Sequence, residues 1–317
     1  MRIIITGVNG LLGRDILLEA IAEGDISIGV GRSKYNKVDT SMNINRFMYY
    51  SGDVTNKRFI KNLIYETNPD AIIHCAAWTD VDSAELRRNR KEVYSHNVGG
   101  VKNLVDVCAN SSIKLMFISS DYVFDGSGTL PWLEEDSTLN PLNYYGYTKL
   151  LGENYIRENL NQFYIVRTSW LFGINRCNFV DKILLQSLNE KYIFVVNDQI
   201  GLPTYTVDLA HSLLKIIHSN KFGYYHITNT GEYISRYEFA CGIFRTFEYL
   251  YGLQTNKIPT IKEIDSESLD NNTIAIRPKN SRLAIKNLYN KGFSGLPHWE
   301  NALERYLIDK NKELKYE

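Results

Sequence analysis

The sequence predicts an α/β fold: a Rossmann-type doubly wound parallel sheet with a smaller C-terminal substrate lobe. Three observations carry this. Short β-branched runs alternate with longer helical patterns through the first half of the chain. Several runs are apolar throughout, as strands buried on both faces must be. A loop with three spaced glycines follows the first run and opens the first helical pattern.

Strands are expected at residues 2–6, 27–30, 48–51, 71–77, 114–119 and 163–167, and a further one near 192–198 is expected to return to the same sheet. The reading gives a dinucleotide-binding domain at 1–170 and a mainly substrate-binding lobe at 171–317, where helices at 207–217 and 236–249 mix with a short strand at 224–228. Polar segments without a sustained period, 34–47 and 265–273, read as surface loops.

The 317 residues balance 36 basic against 36 acidic side chains, so no charge footprint points to nucleic acid or a membrane surface. No run approaches the roughly 20 apolar residues of a membrane-spanning helix, and the chain opens without a charged leader or apolar signal segment. Cys75, Cys108, Cys177 and Cys241 lie too far apart for a CxxC or Cys/His pattern. No metal site is expected, and a reducing cytoplasm is the simplest setting.

The glycine loop, Gly7-Val8-Asn9-Gly10-Leu11-Leu12-Gly13, lies between an expected strand and helix. Bare backbone there lets a pyrophosphate approach the helix N-terminus and its free N–H groups, so dinucleotide binding is expected. After the second strand come Arg32 and Ser33, where an NAD-preferring site would carry an acid. Arg32 favours NADPH, with NADH the alternative, because a solvated loop arginine would look the same. Asp53 and Val54 follow the third strand, where an adenine edge or a plain helix cap fits equally.

Reducing a carbonyl takes a hydride on one side and a proton on the other. Tyr145 and Lys149 lie four residues apart in a segment that reads as a helix, so they share a face, and an ammonium beside the phenol is expected to bring its chemistry nearer neutral pH. Chance pairing is the rival reading in a chain with 22 tyrosines. Ser120, ending the fifth strand at the carboxyl edge of the sheet, supplies a hydroxyl for the same carbonyl oxygen. His74 reads as a packed strand histidine.

Taken together, these residues resemble the extended short-chain dehydrogenase/reductases and, within them, the dTDP-4-dehydrorhamnose reductase family. The resemblance rests on Thr6 through Gly13, His74 through Glu85, Ser119 through Gly126, Tyr145 through Lys149, Arg167 through Trp170, Asp198 through Thr204 and Arg277 through Leu283. It implies NADPH-dependent reduction of a nucleotide-activated 4-keto deoxysugar, dTDP-4-dehydro-6-deoxy-L-mannose to dTDP-L-rhamnose. By position, Tyr145 matches the proton donor, Lys149 the residue that holds the nicotinamide ribose, Ser120 the third catalytic hydroxyl and Asn97 the proton-relay asparagine. Cys75, Ala76 and Ala77 fall against the cofactor, and Thr79, Val81, Tyr122 and Trp170 around the sugar. For Trp170 a core aromatic is the competing reading.

The chain departs from the family's common pattern at Ser120, where Thr is usual, at Ser83, where Lys is frequent, and at Tyr147, where Glu is. It also carries extra length near 34–47 and 250–272. Two other functions stay open: reduction of another nucleotide 4-keto sugar, and a non-catalytic NADP-binding role like that of the regulatory subunit of methionine adenosyltransferase, which the chain also resembles. A nucleotide sugar is the expected partner, and a homodimer is left open.

Overall fold

The computed structural model describes residues 1–34, 46–136, 139–252, 259–268 and 274–316. Strands β1 (Arg2–Thr6), β2 (Ile26–Gly31), β3 (Phe47–Ser51), β4 (Ala71–His74), β5 (Lys114–Ser120) and β6 (Phe163–Thr168) form one parallel sheet. A seventh strand, Gly223–His226, pairs in parallel with β6, giving the order Gly223–His226, β6, β5, β4, β1, β2, β3. The order reverses between β1 and β4, and that switch point is where open α/β sheets place their ligands.

Side-chain alternation divides the core into two layers. Ile3 and Ile5 of β1 pack with Leu12, Ile16 and Leu17 of α1 (Leu11–Ala22) and with Leu209 and Leu213 of the helix Thr206–Ile217. Ile4 faces the other way, toward Ile60 and Leu63 of α2 (Lys57–Thr67), Leu104 of the helix Gly100–Cys108, and Ile156 of the helix Tyr144–Asn159. A separate apolar cluster, with Trp170, Phe172, Phe239, Trp299 and Tyr306, joins the helices Phe179–Ser187, Arg236–Tyr251 and Trp299–Tyr316 into the second lobe. No helix among the described residues is long and apolar enough to cross a membrane.

The returning strand is a correction. Tyr192–Val196 is a strand, but it pairs with Thr260–Ile264 in a two-stranded ribbon of the second lobe instead of joining the main sheet. Its burial alternates, with Tyr192 and Phe194 facing outward, and Lys262 covers the Tyr192 ring at 4.2 Å. Because the outward residues are aromatic, the sequence shows no polar alternation and imitates a strand buried on both faces. The place beside β6 goes to Gly223–His226, the segment read as a short strand of the second lobe. β4 is also shorter than expected, ending at His74. The 34–47 loop lies largely outside the described residues, as does the 265–273 loop beyond the single turn Ser266–Ser268.

Candidate active site

The glycine loop turns between β1 and α1 at the switch point. Gly7 has φ +70°, and a Cβ there would stand 2.8 Å from the Ala76 nitrogen. At Gly13 a Cβ would stand 2.3 Å from the Gly7 carbonyl oxygen. The loop is thus kept bare by its own packing, and Gly10 caps α1 without a side chain, leaving the first N–H groups of the helix turned to the crevice. These features fit the pyrophosphate of a dinucleotide. Leu12 is in the core, Leu11 is half-buried, and Asn175 and Arg176 of the second lobe donate to the Asn9 carbonyl.

The ends of β1 and β4 are fastened together: Thr6 Oγ1 meets His74 Nδ1 at 2.7 Å and accepts from the Ala76 N–H at 3.2 Å. This sets Cys75, Ala76 and Ala77, all half-buried, beside the loop. Burial, then the charge of Lys149, pulls the His74 pKa down to about 3, so His74 is a neutral packed side chain.

At the far end, Arg32 is exposed and its Nη1 lies 3.2 Å from His96 Nε2, which in turn lies 3.5 Å from Asp53. Burial raises the Asp53 pKa, but bonds from Thr55 and the charges of His96 and Arg32 more than offset it and hold Asp53 below the usual range. The Ser33 carbonyl accepts from Tyr49 Oη, which also receives Asn9 Nδ2. Val54 packs its side chain into the core, and its carbonyl is taken by Asn103.

The chemical end is built on the helix Tyr144–Asn159, capped by Asn143: its Oδ1 accepts from the Gly146 N–H and its Nδ2 donates to the Ile276 carbonyl. Tyr145 and Lys149 share a face of this helix. Tyr145 is half-buried, with its ring edge-to-face against Tyr122 at 5.8 Å. Ser120, closing β5, donates to Asp121 Oδ1 at 2.8 Å.

Asn97 lies in a π-helical turn, Ser95–Gly99, a distortion that recurs at functional sites. It accepts from the Trp78 N–H at 2.7 Å and donates to Thr148 Oγ1 at 2.9 Å, and Thr148 in turn donates to the Tyr145 carbonyl. Asn97 therefore acts on Tyr145 through its backbone.

The electrostatics differ from the expectation in one respect. Tyr145 is not lowered by Lys149: burial pushes its pKa up, Asp121 adds to that, and the Ser120 hydroxyl opposes it. Lys149 Nζ instead sits over the Phe117 ring at 4.0 Å, where burial takes its pKa down to about 7 against the pull of Glu153. Glu153 is itself bound by Arg167 at 2.7 Å and by Ser119. At neutral pH the phenol therefore keeps its proton, the form a proton donor requires, while burial has brought the lysine toward its neutral form.

The residues expected around the sugar differ in exposure. Thr79 is exposed, while Val81 and Tyr122 are half-buried. Trp170 is buried and has φ +50°, a left-handed conformation costly for a bulky residue and found at constrained sites. Burial raises the Asp121 pKa to about 6, opposed by the Ser281 and Ser120 hydroxyls and by Arg236.

His96, Asp121, Thr148 and Arg236 were not singled out from the sequence. A charged residue opening a helix, as Arg236 does, reads as solvent-facing, and His96 has no spacing that marks it. Away from this edge, Glu19, Glu23 and His211 bring ligand-type atoms within 4.8 Å of one another, but the histidine is already paired with both carboxylates at the surface.

Fold and site together define a doubly wound dinucleotide-binding protein of the short-chain dehydrogenase/reductase type. The family described as the RmlD substrate binding domain matches residues 1–311. A dTDP-4-dehydrorhamnose reductase of Aggregatibacter actinomycetemcomitans is 34% identical over 96% of this chain and 97% of its own length. A dTDP-4-keto-6-deoxy-D-glucose reductase of Streptomyces niveus is 31% identical over 95% of each. Among solved structures, the dTDP-4-dehydrorhamnose reductase of Bacillus anthracis in complex with NADP superposes with a TM-score of 0.82 at 35% identity, over 97% of this chain and 99% of that one. The chain belongs to the dTDP-4-dehydrorhamnose reductase family and is an NAD(P)-dependent oxidoreductase.

Proposed function

We propose that this protein reduces the 4-keto group of a dTDP-linked 6-deoxysugar, dTDP-4-dehydro-6-deoxy-L-mannose to dTDP-L-rhamnose, with NADPH as the preferred cofactor. The observation that carries the reading is the Tyr145 phenol, held protonated beside Ser120 at the carboxyl edge of the sheet, with Lys149 one helical turn away.

When bound, the nicotinamide supplies the hydride to C4. Tyr145 donates its proton to the oxygen as negative charge develops there, and Ser120 steadies that oxygen with a hydrogen bond. Lys149, one turn further along the helix, would hold the cofactor's ribose and return a proton to Tyr145; its lowered pKa supports that exchange. Asn97 and Thr148 fix the helix turn that carries Tyr145. The bare loop from Gly7 to Gly13 would hold the pyrophosphate, and Arg32 the 2′-phosphate. Trp170, Tyr122, Val81 and Thr79 are the residues assigned to the sugar.

The Streptomyces relative favours a second reading, in which dTDP-4-keto-6-deoxy-D-glucose is reduced directly; the reacting 4-keto group is the same and the ring configuration differs. A panel of dTDP-, UDP- and GDP-linked 4-keto sugars, followed by NADPH and NADH consumption and by NMR of the product, decides between them. Consumption with the L-configured dTDP sugar is expected. Turnover confined to the D-configured sugar, or to a UDP or GDP sugar, would replace the primary reading.

A further inference from the structure

Arg236 opens the helix Arg236–Tyr251 directly after its cap, Ser235, and is half-buried. Its guanidinium carbon lies 3.8 Å from the centroid of the Trp170 ring and 5.1 Å from that of Phe179. Among the described residues none accepts a hydrogen bond from its side chain; the groups that act on it are Tyr122, Asp121 and, repelling it, Arg277. Asp121 keeps one buried carboxylate oxygen, Oδ2, without a hydrogen-bond partner among the described residues, and Arg236 makes no hydrogen bond to it. Asp121 takes the Ser120 hydroxyl, and Arg277 is bound in two-pronged fashion by Asp82, at 2.6 and 3.3 Å.

Guanidinium donors withdrawn from water are ordinarily met by carboxylate or carbonyl oxygens. Arg236 has lost much of its water, which lowers its pKa to about 10, and has received aromatic faces in exchange. A ring against the flat face answers part of the charge but none of the donors, which point outward in the guanidinium plane. Arg236 and Arg277 both act on Tyr122, as do the carboxylates of Asp121 and Asp82, but Arg277 is held by Asp82 while the Arg236 donors bond to no side chain among the described residues.

We propose that Arg236 is a substrate-binding residue that takes the diphosphate joining sugar and nucleoside, held in place by the Trp170 ring. This rests on the nucleotide-sugar reading above, whose sugar and base are neutral and whose diphosphate carries the full negative charge. A forked pair of charge-assisted bonds to phosphate oxygens meets the free donors.

The test is calorimetric binding of dTDP to the NADP-loaded protein, for wild type, Arg236→Gln and Arg236→Lys, at two salt concentrations. Arg236→Gln is expected to weaken dTDP about tenfold or more, to leave NADPH affinity unchanged, and to flatten the salt dependence of dTDP binding. Arg236→Lys should recover part of the loss, because it keeps the charge without the fork. Unchanged dTDP affinity in Arg236→Gln overturns the assignment, and so does weakened affinity with the wild-type salt dependence, which would make Arg236 a prop for Trp170. A wild-type protein that takes up neither dTDP nor UDP removes the nucleotide-sugar reading itself, an outcome distinct from a wild type and a variant that bind dTDP equally well.

Discussion

The cofactor end and the sugar end of the cleft are built by different means. The first is largely backbone: a loop of seven consecutive residues, bared by close packing against Ala76 and aimed by a helix N-terminus. The second, in the reading proposed above, is side chains brought in from separate stretches, with Ser120 ending β5, Tyr122 just after it, Tyr145 and Lys149 on a helix, Trp170 after β6, and Arg236 from the second lobe. A backbone site tolerates change in the residues that flank it but not in its glycines. A convergent site is retuned by a single substitution at any of several points, which is how one scaffold serves different sugars.

Three experiments probe that contrast. The largest effect is expected at the convergent end, where Tyr145→Phe removes one hydroxyl. Turnover should fall on the order of 10²-fold or more while NADPH affinity is kept, as read by single-turnover kinetics and cofactor fluorescence. Near-normal turnover would place the proton donor elsewhere.

At the cofactor end, Arg32→Ala should weaken NADPH by about 10- to 100-fold, as loss of a charge-assisted phosphate contact does, and NADH by little. Equal losses for both cofactors would mean that Arg32 supports the Asp53–His96 cluster instead of reading the 2′-phosphate.

The smallest effect concerns Asp121, whose folded pKa of about 6 lies above the ordinary 3.8 of an aspartate. The folded state then binds the extra proton between these values, so this stabilisation is full below about pH 4 and is lost as pH rises through about 6. Asp121→Asn should therefore gain stability relative to wild type on going from pH 4 to pH 8, in urea melts at each pH. A difference independent of pH would show that the carboxyl is not desolvated in the folded chain.

Most of the sheet was legible because strands covered on both faces by helices must be apolar, and β1, β2, β4 and β5 are. Tyr192–Val196 misled because aromatic residues on its open face hid the alternation. The glycine loop was readable for the reason that it is local. The pairing of Tyr145 with Lys149 on one helix was readable too, since helical spacing alone decides it. The direction of the Tyr145 shift was not: it depends on Asp121 approaching from β5 and on Lys149 turning toward Phe117, neither of which the spacing contains. Arg236 was silent for a similar reason, since nothing in its own segment reveals that Trp170 lies against it.

The seventh strand has a consequence for how this chain is made and how it can change. Gly223–His226 completes the hydrogen bonding of β6, and the helix Thr206–Ile217 covers the face that α1 shares. A nascent chain released through residue 170 would present β6 as an open edge, a template for pairing with other chains. The sheet of the first lobe can be completed only once residue 226 has emerged, while the helices Arg236–Tyr251 and Trp299–Tyr316 of the second lobe are still to be made. By the same interleaving, a transplanted second half has to bring a sheet strand that fits the host's β6.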